Sequence, residues 1–440
     1  MTAPFGRAVP GNRWDLLDGE QPTTLPTVSV IVPYFRQQRE LDRTLAALAR
    51  QSYPADLLEV VVVDDGSPKT PTVPDGVVLV RQEDLGFRLA AARNLGIRSS
   101  HGDVLCFLDA DTAPEPEYVA RLTRLVALVP EAVTVGRRRH ADFTGASVTE
   151  PVEVAGPAGQ LPEPSWLQNA YDRSHDLLDS DDRSYRYVIG AVIACSRWFV
   201  EQVGGFDERF REYGGEDWEW AHRAWVGGAV FAHVPDAVAW HDGPEWSGRS
   251  DDDPGRRVTK NAETLALADA IPVRESRGRA IRSVADDVVV RLLSAGSDAR
   301  AYVCVDTVLR ALPTARVVVP DEVAPVFAAD QRVIGSADHD RSVENARLPP
   351  RVTVTIERPV RIDEPGDLVE AVDTVGLGTL GSVHFDDVEG AALVRVVSNR
   401  AGRRRARWTD DELFSTRRQQ SAWRPLDEEP GLAAYLGGWG

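Results

Sequence analysis

Short, densely apolar runs alternate along the first part of this chain with stretches whose apolar residues recur at helical spacing. Residues 28–32 form a valine-rich run that predicts a strand stopped by Pro33. Leu41, Leu45 and Leu48 then share one helical face, and Pro54 closes that pattern. A second strand at 59–63 runs into Asp64-Asp65-Gly66-Ser67. The alternation continues with a strand at 77–80, a helix at 89–99, a strand at 104–108 and a helix carrying Tyr118, Leu122, Leu125 and Val129. A strand at 132–135 follows. Such βαβ repetition predicts an α/β fold, Rossmann-like, with a mostly parallel sheet and helices on both faces.

Between 140 and 184 the pattern weakens into Pro, Gly, Asp and Ser, which predicts a surface excursion with one short helix near 166–178. Order returns with a strand at 187–195. Gly214-Gly215-Glu216-Asp217 then opens a helix to about Trp225, the glycines allowing a tight turn and the acids suiting the positive helix end. Residues 238–241 predict a strand ending on His241. Ser250-Asp251-Asp252-Asp253-Pro254-Gly255 and the arginines from Arg274 to Arg282 bracket a junction, so the chain divides into a leader at 1–26, a domain at 27–275 and an α/β accessory domain at 281–440.

In that last domain a helix is expected at 286–293, with strands at 301–305 and 315–319. Val383-His384-Phe385-Asp386-Asp387 predicts a further strand ending in acids. Laid beside the first domain, Phe385-Asp386-Asp387 falls near Leu108-Asp109-Ala110, with Val388 opposite Asp111. Val317-Val318-Val319-Pro320-Asp321 likewise resembles Val61-Val62-Val63-Asp64-Asp65. These matches suggest a degenerate second copy of the first fold, and an unrelated accessory domain is the alternative.

Composition narrows the partners. A net charge of -18 over 440 residues argues against nucleic acid, whose phosphates are met by clustered cations. The three cysteines, Cys106, Cys195 and Cys304, lie in apolar runs without metal-ligand spacing, which suits reduced core residues and a cytoplasmic protein. No run of eighteen apolar residues and no apolar leader segment occurs, so no transmembrane segment is expected; peripheral membrane contact stays open.

The chemistry centres on the run from His101 to Thr112. An apolar strand delivers Asp109 and Asp111, separated by one small residue, to the carboxyl edge of the sheet, where α/β folds bind ligands. Paired acids there suit a divalent cation that shares its shell with phosphate oxygens. A plain acidic turn is the structural alternative.

Several separated signals agree. Taken together, Val28-Ser29-Val30-Ile31-Val32-Pro33 with Phe35, Val63-Asp64-Asp65-Gly66-Ser67, Ala92-Arg93-Asn94, Leu108-Asp109-Ala110-Asp111, Gly215-Glu216-Asp217 and His241 resemble family 2 nucleotide-sugar glycosyltransferases of GT-A fold. The resemblance runs from about Thr27 to Pro244, closest in motif style to chondroitin polymerases and, at Gly204-Gly205-Phe206-Asp207, to beta-galactosyltransferases. It implies an inverting enzyme that uses Mn²⁺ (or Mg²⁺) and takes a nucleoside-diphosphate donor, by family habit a UDP-sugar. The acceptor is a hydroxyl of a carbohydrate or glycoconjugate. Asp217 is implied as general base, with Glu216 orienting the acceptor. Asp111 and His241 are the implied metal ligands, imidazole favouring Mn²⁺. Pro33, Phe35, Asp65, Arg88, Arg93 and Asp109 would hold the donor, the two arginines through its diphosphate. Trp218 and Trp246 would pack against acceptor sugar rings. A nucleotidyltransferase and a non-catalytic glycan-binding protein are the rival functions.

Overall fold

The computed structural model describes residues 2–211, 214–244, 254–278, 281–343 and 349–438. The chain divides into two compact units, Met1–Leu267 and Ala268–Gly440.

In the first unit the chain runs β1 (Val28–Tyr34), α1 (Gln38–Leu48), β2 (Leu58–Asp64), β3 (Val78–Arg81), α2 (Leu89–Arg98), β4 (Val104–Leu108), β5 (Thr112–Pro114), α3 (Tyr118–Leu128) and β6 (Ala132–Ala141). Then come α4 (Val152–Ala158), β7 (Gln160–Leu161), α5 (Ser165–Arg173), β8 (Val192–Ser196), α6 (Arg197–Val203), α7 (Glu216–Val226) and β9 (Val230–Asp242). The sheet order is β3-β2-β1-β4-β8-β6-β9-β5, with β7 on β6. Strands β3, β2, β1 and β4 are mutually parallel; β8 is antiparallel to both β4 and β6, and β6 is parallel to β9.

All five β4 side chains are fully buried, each removal from water contributing roughly 1.5–3 kcal/mol, so the position of Asp109 just beyond the strand is tightly fixed. Helix α2 lies close on the sheet because Gly96 has no side chain: a Cβ there would stand 2.3 Å from Ile31 Cγ2. Pro33 does not stop β1. The strand continues to Tyr34, beyond Ile31, its last residue paired with β4, so the missing N–H leaves that ladder intact. The stretch 140–184 is no surface excursion: β6 continues into it, and α4 packs under the Trp240 indole at Gly156. The leader is likewise packed, with Val9 and Leu17 buried and the Asn12 amide bonded to Leu177 O and Phe231 O at 2.7 and 2.9 Å.

Helix α8 (Pro254–Ala270) contains the division between the units. The second unit has β10 (Val288–Leu292), α9 (Asp298–Ala311), β11 (Arg316–Val319), β12 (Val333–Gly335), α10 (Ser336–Val343), β13 (Val352–Ile356), β14 (Val360–Arg361), α11 (Gly366–Thr374) and β15 (Leu380–Asp386). It ends with β16 (Ala392–Ser398), α12 (Asn399–Trp408), β17 (Ser415–Gln420), β18 (Arg424–Pro425) and α13 (Leu432–Tyr435).

Two sequence expectations reverse here. The helix expected at 286–293 is strand β10, as its β-branched Val288-Val289-Val290 favours. The strand expected at 301–305 lies inside α9, whose N-cap Ser297 accepts from Arg300 N and whose buried Ala301, Cys304, Val305 and Val308 follow helical spacing.

The second sheet has the order β12-β11-β10-β13-β16-β15-β17. Its pairings run parallel, parallel, parallel, antiparallel, antiparallel, parallel. That sequence of neighbours and directions is the same as β3-β2-β1-β4-β8-β6-β9, strand for strand in chain order. The second unit therefore repeats the topology of the first. The repeat aligns β11 with β2, as the valine motifs suggested, but it sets β13, not β15, in the place of β4. The counterparts of Asp109 and Asp111 are thus Glu357 and Pro359, not Asp386 and Val388. Between α12 and β17 only a short 3-10 turn, Asp411–Leu413, stands where the first unit has α7.

Candidate active site

The carboxyl ends of β1, β2, β4 and β9 open into one cavity of about 740 Å³ lined by Pro33, Phe35, Asp65, Asp109, Asp111 and His241 among others. Six residues singled out from sequence thus meet at one place.

Strand pairing explains the convergence of Asp111 and His241. Thr44 Oγ1 donates to Ala110 O at 2.8 Å and holds the turn after β4, after which β5 pairs antiparallel with β9, Thr112 opposite His241. Asp111 Oδ1 stands 3.2 Å from His241 Nδ1, and Gln37 Nε2 donates to Asp111 Oδ2 at 3.2 Å. Burial disfavours ionisation of Asp111, but the hydrogen bond and charge of His241 outweigh it and draw the carboxyl below its ordinary value. Asp109 shifts the opposite way: burial raises it against the pull of Arg93.

Asp65 closes β2. Its carboxylate accepts from Gln82 Nε2 at 2.6 Å and from the Arg88 backbone N–H at 3.0 Å, while burial raises its proton affinity. Phe35 is 40% exposed toward the cavity, with the Arg36 guanidinium 4.6 Å from its ring centre.

Gly214 and Gly215 adopt φ of +96° and +94°, a left-handed pair that turns the chain into α7. Glu216, in the first turn of that helix, is 4% exposed and accepts from Arg93 Nη1 at 2.7 Å. Burial, and then the neighbouring Asp217 charge, push its carboxyl up to about 7. Asp217, half-buried, accepts the Gly190 N–H at 2.9 Å. Arg93 also donates to Asp109 Oδ1 at 3.3 Å through Nη2. Wholly inside the protein, it ties α7 to the end of β4. Asn94 Oδ1 accepts from Phe206 N and its Nδ2 donates to Phe206 O, at 2.8 and 2.9 Å, so the Ala92-Arg93-Asn94 and Gly204-Gly205-Phe206 motifs form one joint.

Not every expected residue reaches the cavity. Among the described residues, neither Arg88 nor Arg93 lines it; Arg36 and Arg138, not singled out from sequence, do. Glu216 and Asp217 lie outside that lining as well, with Arg93 joining Glu216 to Asp109. Trp218 meets Tyr185 edge-on at 6.1 Å and Lys260 Nζ at 5.7 Å. Trp220, Trp225 and Trp240 are core indoles, bonded to Gly204 O, Asp182 and Glu115. Trp246 lies outside the described residues. Sequence reasoning also passed over Gln37 and the buried Arg43, whose Nη1 holds Asp242 at 3.0 Å beside His241.

Comparison with known proteins adds an independent line. The profile of Glycosyl transferase family 2 matches residues 29–175, and that described as the N-terminal domain of galactosyltransferase matches 178–238. The chain is 31% identical to a chondroitin synthase of Pasteurella multocida over 53% of its own length and 26% of that protein's. It is 28% identical to the chondroitin synthase of Escherichia coli over 56% and 38%. It is 32% identical to a validoxylamine A glucosyltransferase of Streptomyces hygroscopicus over 45% and 48%. The chain thus spans about half or less of the length of these relatives. A mannosyltransferase structure from Pyrobaculum calidifontis, solved with GDP-Man and Mn²⁺, is similar at 22% identity, covering 60% of this chain and 70% of that one with a TM-score of 0.42. No helix among the described residues is long and apolar enough to cross a membrane.

Proposed function

We propose that this chain, whose residues 29–175 match the profile of Glycosyl transferase family 2, moves a sugar from a nucleoside-diphosphate donor, a UDP-sugar, to a hydroxyl of a glycan acceptor, inverting the anomeric carbon. The observation that carries this reading is the convergence of Asp65, Asp109, Asp111 and His241 on one cavity of donor size. Asp65 at the base end, with Phe35 beside it, suits recognition of the uracil imide and stacking on its ring.

The donor set at Asp111 and His241 fits a divalent metal. One carboxylate and one imidazole, 3.2 Å apart on paired strands, offer the mixed oxygen and nitrogen ligands that suit Mn²⁺. A bound cation supplies charge neutralisation for the departing diphosphate. The chain's own residues do the remainder. Asp217 takes the proton of the attacking acceptor hydroxyl; it is the more exposed member of the α7 pair. Glu216, buried and bonded to Arg93, is better suited to fixing the helix that carries Asp217 than to meeting an acceptor directly. Trp218, half-buried beside Asp217, offers an indole face to the acceptor. Three buried free thiols suit a reducing compartment, where we place the protein.

The test is a panel of nucleotide sugars incubated with Mn²⁺ and oligosaccharide acceptors, reading released nucleoside diphosphate. Asp217→Asn should lose transfer by three orders of magnitude or more while keeping donor affinity within a few-fold. Pyrophosphate as the product, or full turnover by the variant, sinks the reading.

A further inference from the structure

We propose that Arg138 is the protein's guanidinium for the donor diphosphate; this rests on the nucleotide-sugar reading and assigns a part of its site that Arg88 and Arg93 do not fill. The argument begins with three consecutive arginines on β6. Side chains alternate across a strand, so Arg137 and Arg139 share one face and Arg138 takes the other. On the first face both odd arginines converge on Glu163, at 3.0 and 3.2 Å, and the Arg139 guanidinium also lies 4.4 Å from the Trp240 ring centre. On the second face Arg138 lines the cavity with Asp109, Asp111 and His241. Register agrees: β6 runs parallel to β9 with Arg138 opposite Ala239 and His140 opposite His241, and the two imidazoles meet at 5.1 Å on the Arg138 side.

The charges around the cavity show what Arg138 is for. Among the described residues, five carboxylates line it, Asp65, Asp84, Asp109, Asp111 and Asp242, with the cations Arg36 and Arg138 and the imidazole of His241. Asp242 is paired with Arg43, and Asp109 with Arg93. Arg36 lies over Phe35, at the end proposed for the base. A diphosphate entering beside Asp109 and Asp111 meets Arg138, whose positive charge already acts on both carboxylates. A guanidinium fork suits two phosphate oxygens. Arg93 is excluded from the task by its geometry. It is 2% exposed and spent on Glu216 and Asp109, and withdrawing it strands a buried carboxylate. Arg88 gives Asp65 its backbone N–H and sits outside the cavity lining.

The experiment compares affinities for UDP and for uridine by calorimetry in wild type, Arg138→Gln and Arg138→Lys, each with Mn²⁺. Loss of a charge-assisted phosphate contact should weaken UDP binding by roughly ten- to hundredfold in Arg138→Gln and leave uridine within about twofold. Arg138→Lys should recover part of the UDP affinity and none of the fork geometry. Equal weakening of UDP and uridine, or unchanged UDP affinity, overturns the assignment. The full chain is used throughout, and a fold check by near-ultraviolet dichroism guards against a collapsed variant, for which Arg138→Lys alone then decides by the same ratio. Wild type that binds neither UDP nor GDP overturns the nucleotide-sugar reading itself, and this assignment with it.

Discussion

Replacing Arg93 by Met keeps an unbranched stem in the buried site and deletes the guanidinium with its charge, and the consequence is calculable from the burial of its partners. Glu216, 2.7 Å from Nη1 and about 5% exposed, is left as a buried carboxylate without its cation. Removing one member of such a pair costs about 3–5 kcal/mol. The contact to Asp109, at 3.3 Å and with a third of that side chain open, adds less than about 1 kcal/mol. For a unit of this size the sum lowers the melting temperature by roughly 6–24 °C. The loss also depends on pH. Glu216 holds its proton more tightly folded, up to about 7 against an ordinary 4.5, so its stabilising contribution is complete below about pH 4.5 and is lost as pH rises through 7. Arg93 opposes that proton affinity, so deleting it moves the window higher still. At pH 6 Glu216 is largely neutral in both proteins; at pH 8 the wild type carries a charge paired with Arg93, whereas the variant must hold its proton against the pH or leave the charge unpaired. The stability gap should therefore widen by at least about 1 kcal/mol from pH 6 to pH 8. Urea unfolding followed by tryptophan fluorescence reads this, since eight of the eleven tryptophans precede residue 268. A gap below 1 kcal/mol at pH 8, or one indifferent to pH, would refute the clamp.

Two further outcomes follow from neighbouring geometry. Gly96→Ala, which in an open helix would stabilise by up to about 1 kcal/mol, should instead destabilise by about 1–3 kcal/mol, because the new Cβ meets Ile31 Cγ2 at 2.3 Å and Val63 Cγ2 at 3.2 Å; a gain in urea midpoint contradicts the close packing of α2. Mn²⁺ should raise the melting temperature of wild type at neutral pH, and Asp111→Asn and His241→Ala should each abolish most of that rise; rises equal to wild type in both variants remove them from the metal site.

Much of the first unit was legible because its physics is local. Strands such as β1, β2 and β4 are dense apolar runs, and strand ends mark where a ligand edge lies, so the meeting of Asp65, Asp109, Asp111 and His241 at one cavity could be anticipated without coordinates. What stayed hidden depends on register and depth. Arg93 looks like any helical arginine until it is seen wholly enclosed, and the alternation that aims Arg138 inward was available in Arg137-Arg138-Arg139, but only once β6 was known to run past Val135. The second unit misled for the opposite reason. In α9 the residues Ala301 to Val305 are as apolar as a strand, and only the Ser297 cap betrays the helix. Short valine matches identified β11 correctly and β15 wrongly, since such runs recur wherever a strand is buried.

The repeated topology has a consequence for how the chain must fold. Two units that ask for the same order of strands, tethered in one polypeptide, invite exchange of equivalent strands while both are incomplete, a known failure of tandem repeats. The burial patterns oppose it. Strand β4 is buried on both faces, whereas its counterpart β13 alternates, with Val352, Val354 and Ile356 inside and Thr353 and Thr355 partly open to solvent. Put in the place of β4, β13 would press two hydroxyls into an apolar layer, at a cost of roughly 1–3 kcal/mol each. Divergence between the copies thus acts as an address label, directing each strand to its own sheet.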